Sequence, residues 1–467
     1  MRFAKLIFSK LFICIVIIAA LIAAIIFLCF YIHSLLPAAA AVATAYVLSF
    51  IAALCLLLSD SPADFKYGWL TLIAALPVAG AVLYFLSCFS RAQNGREANF
   101  YPPAVCASYE YFADGAAYLD RLITLVSAAK KQVLLEYYII SKGNIWGAIY
   151  RELNKALARG VKVMIIYDGL GSALRAPRRD FKALKKSGAE IKVFNSIKPL
   201  PLTRLNFRDH RKIAVIDDGA VFLGGVNIAD EYANLSFPHG YWKDGGALFF
   251  GDIARTYAEI FFDLFEKRTP EGSDCPRTMP ELNEFERVNG GTAVIPIADK
   301  PECAGSLCED MLAREINKAT SRVYILTPYL CAGDKLGDAL KFAARRGVDV
   351  KIIIPHIPDK KLTYAITRSY CESFASHGIE IYTYTPGFMH HKAVICDDAT
   401  LLGSYNFDFR SMRLNYECGI WCGENITLDA VRDFNSCLDV SAPFRSKKPR
   451  APVKLYRALL TLLAPLV

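Results

Sequence analysis

The chain has 467 residues, a formal net charge of +9 and 54% apolar residues. That length argues against a single small domain, and the apolar share argues against a purely soluble protein. The positive charge suits an anionic lipid surface or a nucleic acid equally well.

Most of the apolar excess lies before residue 90. Leu11 to Tyr31 is nearly unbroken, Pro37 to Leu58 is a second run, and Gly68 to Phe89 is a third. Each is close to the ~20 residues that cross a bilayer core. The first is too long for a signal-peptide core and has no clear cleavage site, so it reads as a retained anchor. The second is weakened by the alanines between Ala38 and Ala45. We therefore expect residues 1–90 to form a membrane anchor of two to three transmembrane helices. The charges conflict with three crossings. Arg2, Lys5 and Lys10 favour an inside N-terminus, and Arg91 and Arg96 favour an inside C-terminal region. Three full crossings cannot satisfy both.

Beyond Asn99 the pattern turns α/β and repeats. Val133 to Ile140 is answered by Val323 to Tyr329, and the helical stretch Ile145 to Ala158 by Leu336 to Arg345. An Arg-Gly-Val triplet then leads into a buried strand in each half, at Lys162 to Tyr167 and at Asp349 to Ile354. Short strands follow at Ile191 to Phe194 and Ile379 to Tyr384. Continuous apolar strands alternating with helices imply a sheet covered on both faces. A period this long marks a duplicated domain, not a solenoid. The expected architecture is two duplicated α/β/α halves, 100–267 and 295–445, sharing one cleft. A linker spans 268–294, and a tail, 446–467, lies near the membrane. The fourteen cysteines include no Cys-x-x-Cys pair and no Cys/His metal spacing. They read as free thiols in a reducing compartment, which places the soluble part in the cytoplasm.

The repeat carries its chemistry in a twinned motif. His210-Arg211-Lys212, Asp217 and Gly224-Gly225-Val226-Asn227 return as His390-His391-Lys392, Asp397 and Gly403-Ser404-Tyr405-Asn406. On a strand, residues two apart share a face, so each His points the same way as its Lys. His391 then points to the opposite face and reads as a bystander. Two Lys and two Asn make a cluster of donors around a phosphoryl group. One His can attack phosphorus while the other serves as acid and then base. Each imidazole also needs an orienting carboxylate. Asp244 lies beyond the first His and Glu417 beyond the second, and they are the natural candidates. Asp217 and Asp397 follow their strands, where a turn-capping role is the simpler reading. Glu136, in an apolar strand, calls for a partner in the cleft or a structural salt bridge.

These motifs resemble the phospholipase D superfamily and, within it, the bacterial cardiolipin synthases. The residues that carry the resemblance are Asn206 to Ile213, Gly224 to Tyr232, Trp242-Lys243-Asp244, Gly403 to Ser411 and Leu414 to Glu417, with Pro328-Tyr329 and Arg346 to Val350. The resemblance implies transfer of a phosphatidyl group between two phosphatidylglycerol molecules through a phosphatidyl-histidine. It also implies that His210, Lys212, Asp217, His390, Lys392 and Asp397 are catalytic, with His210 taken as nucleophile. Asn227, Asp244, Asn406 and Glu417 would support them or bind substrate. No metal or other cofactor is implied. The partners are phosphatidylglycerol and membrane lipids, not nucleic acid. A hydrolytic phospholipase D, a transferase using another alcohol and a nuclease are the alternatives. The apolar runs disfavour the nuclease.

Overall fold

The structure is a computed structural model that describes residues 35–59, 63–91, 101–196, 206–266, 292–301 and 305–445, with isolated residues elsewhere. The first apolar run, most of the linker and most of the tail lie outside the described residues. The chain divides into two compact units.

The first unit contains three described helices: α1 (Leu35–Leu58), α2 (Ala63–Ala75) and α3 (Pro77–Arg91). Among the described residues, one helix is long and apolar enough to cross a membrane, over Ala40–Leu58. The third apolar run is not one span. Pro77 has no N–H to continue α2, so the run breaks there into two shorter helices.

The second unit holds both halves. The first half runs β1 (Ala104–Cys106), β2 (Ser108–Phe112), α4 (Gly115–Ala128), β3 (Gln132–Tyr137), α5 (Asn144–Ala158), β4 (Lys162–Asp168), α6 (Arg178–Lys186) and β5 (Glu190–Phe194). It continues with β6 (Arg208–Asp209), β7 (Lys212–Ile216), β8 (Ala220–Gly224), β9 (Tyr241–Lys243), β10 (Gly246–Phe250) and α7 (Ile253–Glu266). The second half runs β11 (Thr292–Asp299), α8 (Leu307–Lys318), β12 (Arg322–Leu326), α9 (Asp334–Arg345), β13 (Asp349–Pro355), α10 (Lys361–Ala375) and β14 (Glu380–Tyr384). It ends with β15 (Gly387–Met389), β16 (Ala393–Cys396), β17 (Ala399–Gly403), α11 (Phe409–Arg413), β18 (Asn415–Cys422), α12 (Glu424–Asp439) and β19 (Ser441–Pro443).

The duplication is visible in strand order. One sheet reads β2-β10-β8-β7-β3-β4-β5, and the other carries β11-β18-β17-β16-β12-β13-β14 in the same sense. In each of these orders the last three strands, β3-β4-β5 and β12-β13-β14, are parallel and the rest antiparallel. Alternate residues of β3 serve two cores. Val133 and Leu135 pack outward with α4, α5 and α6, while Leu134 packs inward. The inward faces of both sheets share one core with α7 and α12. Burial on both faces explains why these strands read as continuous apolar runs.

Asp217 and Asp397 sit at the far end of β7 and β16 from their histidines. Both adopt positive φ, 53° and 48°. The Asp217 carboxylate accepts the backbone N–H groups of Lys130, Lys131 and Gln132 at 2.7, 2.6 and 3.0 Å. Asp397 accepts those of Thr320, Ser321 and Arg322 at 2.8, 2.9 and 2.9 Å. Each carboxylate clamps the turn that starts β3 or β12. Grouping these two aspartates with the catalytic residues therefore does not match their position, because neither reaches a His-Lys pair. Removing one leaves three N–H groups without their acceptor, worth about 1–3 kcal/mol. Asp217→Ala should lower the thermal midpoint while turnover per folded molecule stays within a few fold. A loss above a hundredfold at full folding would return Asp217 to the chemistry.

Candidate active site

The two histidines face carboxylates from the opposite half. β6 pairs in parallel with the start of β18, with Arg208 opposite Asn415 and Asp209 opposite Tyr416. One more step along that register sets His210 beside Glu417. β15 pairs in parallel with β9, with Phe388 opposite Trp242 and Met389 opposite Lys243. One more step sets His390 beside Asp244. His210 Nδ1 lies 2.9 and 3.0 Å from the two Glu417 oxygens. His390 Nδ1 lies 2.5 Å from Asp244 Oδ2. The order of residues along the chain suggested the same-half pairs instead. Sequence distance misleads here because the halves exchange strands at the cleft. In both pairs the carboxylate takes Nδ1, which leaves Nε2 for chemistry.

Small differences around each carboxylate break the symmetry. A Cβ on Gly225 would sit 2.3 Å from Asp244 Oδ1, so only glycine admits that carboxylate. The equivalent position is Ser404, whose hydroxyl donates to Glu417 Oε2. Asn415 Nδ2 donates to Glu417 Oε1 at 3.0 Å. Asp244 instead accepts the Gly245 N–H at 2.8 Å. Burial pushes Glu417 up to about 7, against the pull of Lys212. Burial would also raise Asp244, but the charges of His390 and Lys392 outweigh it and hold it below the usual carboxylate range.

Lys212 and Lys392 are fully buried and share a face with their histidines. Lys212 Nζ donates to the His210 carbonyl at 2.5 Å, and Lys392 Nζ donates to the His390 carbonyl. Burial lowers Lys212 to about 8 and Lys392 to about 7. Burial and then the two ammonium groups push His210 well below the usual imidazole range, with Lys360 and Arg410 adding to the effect. Burial and Lys392 likewise lower His390, to about 3. The cleft therefore holds two neutral imidazoles among crowded cations, an arrangement that an anionic phosphodiester relieves.

Aromatic rings fix the imidazole planes. Tyr138 meets His210 edge-on at 5.0 Å, and Tyr232 meets His390 edge-on at 5.1 Å. Trp242 and Phe388 close on His390 at 5.3 and 5.7 Å. These rings were missed in the sequence, although Trp242 lies two residues from Asp244 and Phe388 two from His390. Asn227 is committed within its own half, where its carbonyl accepts the Ile139 N–H at 3.0 Å and its amide donates to Tyr232 Oη at 2.7 Å. Asn406 keeps a buried Oδ1 with no hydrogen-bond partner. Glu136 is buried 3.6 Å from Arg211, within the structural alternative foreseen for it.

His391 does lie on the opposite face, but that face is the back of Asp244. Its Nδ1 is 3.7 Å from Asp244 Oδ1, and its Nε2 is 3.2 Å from Tyr111 Oη and 3.8 Å from Asp433 Oδ2. Lys243 pairs with Asp433 at 2.6 Å beside it. The word bystander therefore misses a buried polar cluster behind the Asp244 carboxylate. All ten described cysteines are free thiols, most of them buried.

Replacing Asp244 by Asn removes the charge that steadies a His390 imidazolium and frees the wrong tautomer, which should lower kcat on the order of 10²–10⁴-fold. Glu417→Gln should cost less, because Glu417, raised to about 7, is only partly charged at neutral pH. Equal losses from both would mean the asymmetry has no kinetic weight. The free enzyme should show an alkaline limb in kcat/KM above about pH 7 to 8, as Lys392 and then Lys212 lose their protons. Lys392→Arg should move the alkaline limb upward, and an unmoved limb would assign it elsewhere.

The family model described as cardiolipin synthase, phospholipase D-like domain, matches residues 122–244 and again 312–438. An uncharacterized protein of Streptococcus mutans is 35% identical over 81% of this chain and 83% of its own length. A cardiolipin synthase of Listeria welshimeri is 32% identical over 69% of this chain and 67% of its own. One from Geobacillus kaustophilus is 30% identical over 72% and 66%. The crystal structure of phosphatidylserine synthase from Haemophilus influenzae shares the fold, with a TM-score of 0.59 at 16% identity over 78% of this chain and 97% of that one. The family model covers more than half of the chain and meets both halves of the cleft: the protein belongs to the cardiolipin synthase family of phospholipase D-like proteins.

Proposed function

We propose that the chain is a cardiolipin synthase, a phosphatidyltransferase acting on two phosphatidylglycerol molecules. The observation that carries this reading is the crossed pairing of two buried histidines with two carboxylates beside two buried lysines. His210 Nε2 attacks the phosphorus of the first phosphatidylglycerol. A P–N bond forms as the P–O bond to glycerol breaks, and His390 gives its proton to the departing glycerol oxygen. The hydroxyl of a second phosphatidylglycerol then loses its proton to His390 and attacks the same phosphorus. The new P–O bond forms as the P–N bond breaks, giving cardiolipin and a free His210. Lys212 and Lys392 hold the equatorial oxygens while charge moves onto them. The phosphate charge raises both histidines from their depressed state, so His390 can carry the proton.

The asymmetry of the carboxylates supports this assignment. Asp244 is ionised and 2.5 Å from His390, which favours an imidazolium and an acid–base role. Glu417, raised to about 7, is only partly ionised at neutral pH and favours an imidazolium less, which suits His210 as an uncharged nucleophile. The apolar runs suit an enzyme whose substrates never leave the bilayer. The reading includes a multi-pass anchor in the cell membrane and a catalytic unit on the cytoplasmic side, in line with Arg2, Lys5, Lys10, Arg91 and Arg96.

Incubation with phosphatidylglycerol vesicles should yield cardiolipin and glycerol in equal amounts, separated by thin-layer chromatography. Phosphatidic acid as sole lipid product would mean hydrolysis, and an adduct formed only with an added alcohol would mean another acceptor. The order of attack is tested with a p-nitrophenyl phosphodiester, whose leaving group needs no proton. His390→Ala should release a burst of p-nitrophenol close to one per site, while His210→Ala should release none. The reverse pattern would exchange the two roles.

A further inference from the structure

We infer that residues 63–91 form a re-entrant hairpin that enters the membrane and returns to the face it came from. It rests on the reading of α1 as a membrane crossing. The arms are antiparallel: Trp69 of α2 and Tyr84 of α3 meet edge-on with ring centroids 5.6 Å apart. In an unbroken helix those positions would stand about 22 Å apart. The arms touch closely near the turn. A Cβ on Gly80 would lie 2.7 Å from Ile73 Cα, so no larger residue fits there. Each arm, of 13 and 15 residues, is about 20 Å long, short of the ~30 Å hydrocarbon core.

Contacts with α1 place the turn near mid-depth. Ser49, near the middle of α1, donates its hydroxyl to the Pro77 carbonyl at 2.7 Å. At the other end, Lys66 Nζ donates to the Leu57 carbonyl at 3.0 Å, close to the polar end of α1. Ser49, Ala52 and Leu56 form the buried stripe of α1. A break in a helix exposes a carbonyl that hydrocarbon cannot satisfy, and non-helical backbone survives at depth only where protein supplies a partner. At this turn Ser49 of α1 supplies a protein donor beside the backbone, at the Pro77 carbonyl. The charges agree. Asp64 and Lys66 open one arm and Arg91 closes the other, while the turn Ala74 to Gly80 carries none. A crossing helix would put those two flanks on opposite faces. The hairpin also removes the conflict in the sequence: with the first run taken as the crossing its length and hydropathy predict, α1 crossing and the hairpin returning, Arg2, Lys5, Lys10, Arg91 and Arg96 fall on one face.

The test uses the full chain with single added cysteines at Pro37, Ser61, Leu76 and Gln93, each compared with its parent for reaction with a membrane-impermeant maleimide. Intact spheroplasts and inverted vesicles present the two faces. Ser61→Cys and Gln93→Cys should react from the same face, Pro37→Cys from the other, and Leu76→Cys from neither. Reaction of Ser61→Cys and Gln93→Cys from opposite faces, in variants that still make lipid product, would overturn the hairpin. Pro37→Cys and Ser61→Cys reacting from one face would instead remove the crossing by α1, and the hairpin's depth with it.

Discussion

The site depends on one constraint: two short parallel strand pairs that cross between the halves. β6 beside β18 and β15 beside β9 fix a register, and the next residue of each strand is a histidine or its carboxylate. Neither His210 nor His390 has its carboxylate partner within its own half. The buried charges make sense only in the assembled unit. An unpaired carboxylate at the depth of Asp244 or Glu417 would be costly, and so would Lys212 or Lys392 alone. Docking of the halves and formation of the site are therefore one step.

Duplication then supplies a symmetry that chemistry must break. The Gly225 and Ser404 difference does this locally. Glycine lets a short Asp reach His390, while serine and Asn415 hold a longer Glu by neutral donors. One carboxylate keeps its charge and the other holds it only in part near neutral pH. The two imidazoles thus differ in ease of protonation even though their motifs are nearly the same. The depression of these histidines and of Lys392 is of the kind that a nearby phosphodiester anion reverses.

Much of the fold was legible because periodicity is a local signal. The paired strands at β3 and β12, β4 and β13, and β5 and β14 were visible as apolar runs after matching punctuation. The His-x-Lys pairs were visible because two copies at one spacing exceed chance. The partner of each His was not visible, because strand exchange between halves leaves no mark in sequence distance. The aromatic walls at Tyr138, Tyr232, Trp242 and Phe388 were hidden for a similar reason: each is an ordinary core residue until packing sets it against an imidazole. Asp217 and Asp397 showed the opposite fault. Their fixed spacing ties them to the motif, yet the backbone N–H groups they accept come from a different segment of chain.

The sequence by itself determined the duplication, the reactive side chains, the anionic character of the substrate and the apolar N-terminus. Those follow from residue type and local period. Tertiary structure decided which carboxylate serves which histidine, which of the two keeps its charge, and that Pro77 turns the third apolar run back on itself. Each of these depends on burial and on contacts between distant segments, where the energy of a charge or an open carbonyl is set by what surrounds it and not by its place along the chain.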